Sequence, residues 1–183
     1  MKDLERGFLL GACEDGTVYY KKSRNQYTIE IEQKERGWLE FVQGAFLSAY
    51  DKRSKIYMTS KGYYRLVVYS KMIFGELTNM RACRRRILAE SPSYQLGYLR
   101  GIFDAEGTVH RDRFQIRVSS SKLDTISIVK KMLDASGISY GKISADKTAY
   151  VLPLYGKKNI SNFNRKIGFR HPEKMDRLSR LIF

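Results

Sequence analysis

GYLRGIFDAEGTV, residues 97–109, is echoed in shortened form by GFLLGACEDGTV, residues 7–18. Each copy is an apolar run with glycines four apart, Gly97 and Gly101 in one and Gly7 and Gly11 in the other. Each ends in an acid, a glycine and the strand-forming pair Thr-Val, so the pattern predicts helix, turn and strand, twice over. Glycines at that spacing share one helical face and leave room for a second backbone, as in small-residue helix pairs. The natural partner of each helix is the other. Parallel packing then brings the acids that follow them, Asp15 and Glu106, to the same end of the interface.

Folding alone gives no reason for that arrangement. A helix C-terminus carries partial negative charge, so a carboxylate there is unfavourable and a second one nearby is worse. A divalent cation offsets both effects, and Mg²⁺, with Mn²⁺ as a substitute, takes hard oxygen ligands and holds phosphate. A single acid-glycine pair reads as a solvated turn before a capping glycine; its repetition argues for a site.

Charge points the same way. Lys and Arg number 34 against 19 Asp and Glu, a formal net charge of +15, and an excess that large calls for a polyanionic partner. Nucleic acid fits better than a membrane surface, since no run approaches 18 apolar residues and no signal peptide precedes the first helix; an intracellular protein is expected. With 183 residues, 43% of them hydrophobic, the chain suffices for a packed core. Cys13 and Cys83 are far apart and read as free thiols, and His110 and His171 lack metal-site spacing, which excludes a zinc centre.

From the start of the chain, residues 2–15 form the first motif helix, with Asp3 a candidate N-cap. A hairpin over 17–22 and 26–33, an amphipathic helix over 35–50, a second hairpin over 53–60 and 62–70, and a helix over 72–90 follow. Ser91-Pro92-Ser93 is the linker, because Pro92 disfavours helix at the residue before it. The same order then recurs: helix 94–106, strands 108–111 and 113–120, helix 122–136, strands 140–146 and 149–155, and helices 159–167 and 173–183. The expected class is α+β, with two pseudo-symmetric αββαββα half-domains, 1–90 and 94–183, each built on an antiparallel sheet and packed through the motif helices.

In each half one strand alternates strictly: Tyr27, Ile29 and Ile31 against Gln26, Thr28, Glu30 and Glu32, then Phe114, Ile116 and Val118 against Arg113, Gln115, Arg117 and Ser119. The polar faces suit a β-ribbon in the DNA major groove, where alternate side chains reach base edges and phosphates. The expected DNA contacts are Gln26, Arg53, Lys55, Arg65, Arg113, Gln115, Arg117 and Lys142. Glu30 and Glu32 suit such a surface only as acceptors from cytosine amino groups, or under a different strand register.

Leu99 to Gly107, LRGIFDAEG, resembles the nine-residue motif of the LAGLIDADG homing endonucleases, with Leu99, Gly101, Asp104, Ala105 and Gly107 in agreement and Glu106 at the metal-binding acid. The first copy is one residue short between Gly11 and Gly16, so Asp15 takes that role by resemblance while Glu14 stays a candidate. The resemblance covers nearly the whole chain. It implies a monomer whose saddle-shaped sheets straddle a long, asymmetric duplex and whose helix ends bind the metal for cleavage of both strands. IEQKERGW, residues 31–38, is similar to the segment bearing the family's polar pocket residue, which implies Gln33, with Ser120 in the other half. IGFRHPEKMDRL, residues 167–178, looks like the segment with a basic residue near the scissile phosphate, implying Lys174; Arg84 or Arg85 is the nearest first-half counterpart.

Together these imply Mg²⁺-assisted in-line hydrolysis of phosphodiesters, with Asp15 and Glu106 holding the metal, Gln33 and Ser120 orienting water, and Lys174 stabilising the transition-state charge. An intron maturase that also binds RNA, or a DNA-binding protein that does not cut, is the alternative; retention of both acids favours the nuclease. Met1 at the start and no splicing blocks before Phe183 favour a free-standing or intron-encoded protein over an intein-embedded one.

Overall fold

The computed structural model describes residues 2–182 apart from 15 and 147. The first half runs α1 (Lys2–Ala12), β1 (Thr17–Lys21), β2 (Gln26–Gln33), α2 (Arg36–Tyr50), β3 (Lys55–Met58), β4 (Tyr64–Tyr69) and α3 (Lys71–Ala82). The second runs α4 (Pro92–Glu106), β5 (Gly107–His110), β6 (Gln115–Ser120), α5 (Leu123–Ala135), β7 (Ser144–Asp146), β8 (Ala149–Tyr155), α6 (Lys157–Lys166) and α7 (Pro172–Ile182). Each half has one four-stranded antiparallel sheet, ordered β1-β2-β4-β3 and β5-β6-β8-β7. The architecture is the expected α+β duplication.

The four motif glycines explain how the halves join. A Cβ on Gly7 would lie 1.9 Å from the Tyr94 carbonyl oxygen, and one on Gly11 would lie 2.3 Å from that of Tyr98. Reciprocally, Gly97 faces the Leu4 carbonyl oxygen at 2.0 Å and Gly101 that of Phe8 at 2.1 Å. Both helices ascend together along this contact, so they pack in parallel with main chain against main chain. Around it lie Phe8, Leu9, Tyr94, Tyr98, Ile102 and Phe103, all buried, in a core that continues under both sheets. Ion pairs seal its edges: Arg170 to Glu5 at 2.7 Å and Arg6 to Glu76 at 2.8 Å.

Several expected boundaries move, each for a local reason. Cys83 (φ −135°, ψ 72°) breaks the helix expected over 72–90, and residues 84–89 continue as a 3-10 helix. Ser91 accepts from the Tyr94 N–H as an N-cap, which draws Pro92 and Ser93, expected as linker, into α4. Phe114 turns left-handed (φ 43°), so β6 starts at Gln115 and Arg113 lies in the hairpin turn. β3 and β7 are shorter than expected, leaving Arg53 and Lys142 in the loops before them. No helix among the described residues is long and apolar enough to cross a membrane.

Candidate nuclease centre at the paired helix ends

α4 ends at Glu106, which with Ala105 borders a cleft of about 110 Å³. The opposite wall is first-half chain: Ala12, Gly16, Glu32, Gln33 and Trp38. The second-half acid therefore shares a cleft with the first-half glutamine. Gln33 closes β2 opposite Tyr64, and Ser120 closes β6 opposite Tyr150, so these two residues occupy equivalent positions. Ser120 does not border this cleft, and its hydroxyl accepts from the Lys122 N–H. Asp15, expected as the matching acid, lies outside the described residues.

The donor set is carboxylate and amide oxygen, which fits a hard cation such as Mg²⁺ and not a soft one. Among the described residues no three His, Cys, Asp or Glu side chains gather to hold a metal by themselves. A cation at Glu106 therefore needs further oxygen ligands, as phosphate supplies.

Behind each helix end lies a buried acid. Asp104 is fully buried and accepts from the backbone N–H groups of Arg170 (2.9 Å) and His171 (3.2 Å) and from Trp38 Nε1 (3.3 Å). Burial outweighs these bonds and pushes its carboxyl up to about 6. Glu14 accepts from Arg84 at 2.8 Å and from the Tyr98 hydroxyl at 3.1 Å. Each acid thus takes a donor from the opposite half, Trp38 for Asp104 and Tyr98 for Glu14. Glu14, kept as a candidate ligand from sequence, is held in this ion pair instead.

A basic side chain caps each motif helix. Lys174 Nζ donates to the carbonyls of Phe103, Asp104 and Ala105 at 2.5–3.3 Å, and burial lowers its ammonium to about 8. In the first half Arg81 donates to the carbonyls of Cys13 and Gly16 (the latter at 2.9 Å). Arg81, and not the expected Arg84 or Arg85, is therefore the positional counterpart of Lys174. Arg84, three residues on, pairs with Glu14 instead. Both cations sit where helix carbonyls concentrate negative potential.

In and beside the sheets, Arg53, Lys55, Arg113 and Lys142 are exposed, and Gln26, Arg65 and Arg117 are half-buried. The expectation for Gln115 is corrected. It is 1% exposed, hemmed in by the directly paired His110 and Tyr155, and its side-chain oxygen accepts from Arg117 Nε at 2.8 Å. Thr28, its first-half equivalent on the strand, is likewise buried at 1%. Arg65 donates twice to Glu32 Oε2, at 2.7 and 3.0 Å, and lies 3.6 Å from Glu30. Those two acids do lie on the polar face, opposite β1 and β4, so the expected register holds there. Between the β5–β6 hairpin and α7 runs a wider cleft of about 980 Å³ bordered by Arg111, Arg113, Arg117, Arg177 and Arg180. Arg111, Arg177 and Arg180 were not singled out in sequence, where a helix with i, i+4 pairs reads as ordinary surface.

Residues 93–168 match the family model described as a LAGLIDADG-like domain. The homing endonuclease I-ApeI from Aeropyrum pernix is 27% identical over 192 residues, covering 96% of this chain and 86% of that protein. Among solved structures, mesophilic variants of the homing endonuclease I-DmoI share the fold with a TM-score of 0.78 at 23% identity, covering 98% of both chains. I-DmoI in complex with DNA and Mn matches with a TM-score of 0.74 at 22% identity, over 92% of this chain and 98% of that one.

Proposed function

We propose that this chain, whose residues 93–168 match a LAGLIDADG-like domain, is a site-specific DNA endonuclease of the homing type. It makes Mg²⁺-dependent double-strand cuts within a long asymmetric site, acting as a monomer. The observation that carries this reading is the cleft in which Glu106 of one half and Gln33 of the other meet at the end of the glycine-packed helix pair.

Glu106, at the end of α4, would hold the divalent cation, and Asp15, by its place in the sequence motif, would be its first-half counterpart. A bound divalent cation supplies neutralisation of the scissile phosphate and acidifies water beside it. Gln33 and Ser120, at equivalent strand ends, orient the attacking water. Lys174 and Arg81 place a positive charge directly behind each helix end. They offset the helix's own negative potential, so the approaching phosphate meets less repulsion. The exposed Lys and Arg side chains of the strands and of the loops beside them, Arg53, Lys55, Arg113 and Lys142 among them, hold the duplex backbone.

The test is cleavage of a randomised duplex library with and without Mg²⁺, alongside Glu106→Gln and Asp15→Asn. Metal-dependent double-strand cuts at one long site, abolished in both variants, are expected. Salt-sensitive binding to a defined DNA or intron RNA, with no cutting in any divalent metal, would replace the endonuclease by a maturase or a non-cleaving binder.

A further inference from the structure

The two sheets carry opposite charge at equivalent positions. Glu30 pairs with Thr17 on β1, and Arg117 pairs with Thr108 on β5, each Thr following the glycine that closes its motif. Glu30 is three residues before Gln33, and Arg117 three before Ser120. Next along the strands, Glu32 corresponds to Ser119. An acceptor pair in the first half therefore stands where the second half has a donor and a hydroxyl.

Both charges are held in place. In the first half, the Tyr19 hydroxyl donates to Glu30 Oε1 at 3.0 Å, while Arg65 puts both Nε and Nη2 on Glu32 Oε2. In the second half, Gln115 occupies the Nε of Arg117, and the Nη groups have no hydrogen-bond partner among the described residues. Two carboxylates against one guanidinium leave the first-half array net negative. Phosphate binding is no explanation for it, because a negative array repels phosphate.

Resting on the endonuclease reading above, we propose that these arrays read base edges with opposite hydrogen-bond polarity. Glu30 and Glu32, oriented by Tyr19 and Arg65, accept from an exocyclic amino group, cytosine N4 in preference to adenine N6. Arg117, oriented by Gln115, donates to guanine O6 and N7. A palindromic site offers both halves the same base on the contacted strand. This protein instead demands cytosine in one half-site and guanine at the symmetry-related position of the other. The charge inversion fixes which way round the protein sits on its target.

The experiment is binding selection on randomised duplex in EDTA, which reads recognition without cutting, for the wild type, Glu32→Gln, Glu30→Gln, Arg117→Gln and Arg117→Glu. The wild-type site should break palindromy at one symmetry-related pair of positions, cytosine against guanine. The Glu→Gln variants should relax the cytosine position about tenfold and leave the other half-site alone. Arg117→Gln should relax the guanine position by a similar factor, and Arg117→Glu should switch that base from guanine to cytosine or adenine. A selected site whose bases ignore these substitutions, or Glu→Gln variants that tighten binding to all sequences equally, would overturn the inference while leaving site-specific cleavage intact. Binding with no selected base anywhere would overturn both readings.

Discussion

The two motif helices begin alike and end differently. α4 runs on to Glu106 and buries Asp104, which is held by neutral donors and pushed toward its protonated form. α1 stops at Ala12, puts a buried Cys13 in place of Asp104, and buries Glu14 against a guanidinium. Cys13 sits two residues after Gly11, whereas Asp104 sits three after Gly101; that is the missing residue. The duplication thus preserves the backbone contact and exchanges the chemistry behind it: one half packs its end with an acid held by neutral donors, the other with an ion pair.

The sharpest way to break this comparison is to remove the guanidinium. Arg84 and Glu14 keep 10% and 6% of their side-chain surfaces exposed, so Arg84→Ala leaves a largely buried anion with the Tyr98 hydroxyl as its remaining side-chain donor among the described residues and should cost about 4 kcal/mol in urea unfolding. Next come the glycines. Gly7→Ala and Gly97→Ala should each cost about 3 kcal/mol, because the new methyl meets a carbonyl oxygen that no rotamer change can move. Equal losses would mark the helix contact as the symmetric part of the molecule. In the second half Asp104→Asn should cost only about 1 kcal/mol at neutral pH, since loss of the charged hydrogen bonds is offset by relief of a buried charge.

That variant also alters the pH dependence. Asp104 titrates higher in the folded state, about 6 against 3.8, so its contribution is full below 3.8 and is lost as pH rises through about 6. His171, whose buried ring is lowered to about 4 from 6.5, contributes in the opposite sense, with stability present above 6.5 and lost as pH falls through about 4. The two slopes oppose each other in the wild type. In Asp104→Asn the His171 slope is no longer opposed by Asp104, and stability should rise more steeply between pH 4 and 6.5 in thermal melts than in the wild type. The smallest effect is expected at Arg65→Ala, below about 1 kcal/mol, since that ion pair is more than a third exposed.

Much of this was legible in the sequence for identifiable reasons. Glycine spacing foretold the parallel contact because it is a local pattern, and alternation in 26–33 foretold which face each side chain takes, while the register around Glu30 and Glu32 stayed open until the pairing was seen. Alternation shows which face a residue takes but not what covers it, so Gln115 was placed on the right face and wrongly exposed. The roles of Asp104, Glu14 and Arg81 depend on contacts spanning about seventy residues or more, which no local spacing encodes. The motif aspartate looked like a mere match to a pattern; that it anchors the chain at Arg170 and His171 only tertiary structure reveals.

The separation of the two helix ends is set by main-chain atoms alone, a carbonyl seated in each glycine notch. A gauge made of backbone cannot drift when side chains mutate, except at the four notches themselves. The sheets are then free to change what they recognise, strand position by strand position, while the interval between the two motif helices stays constant.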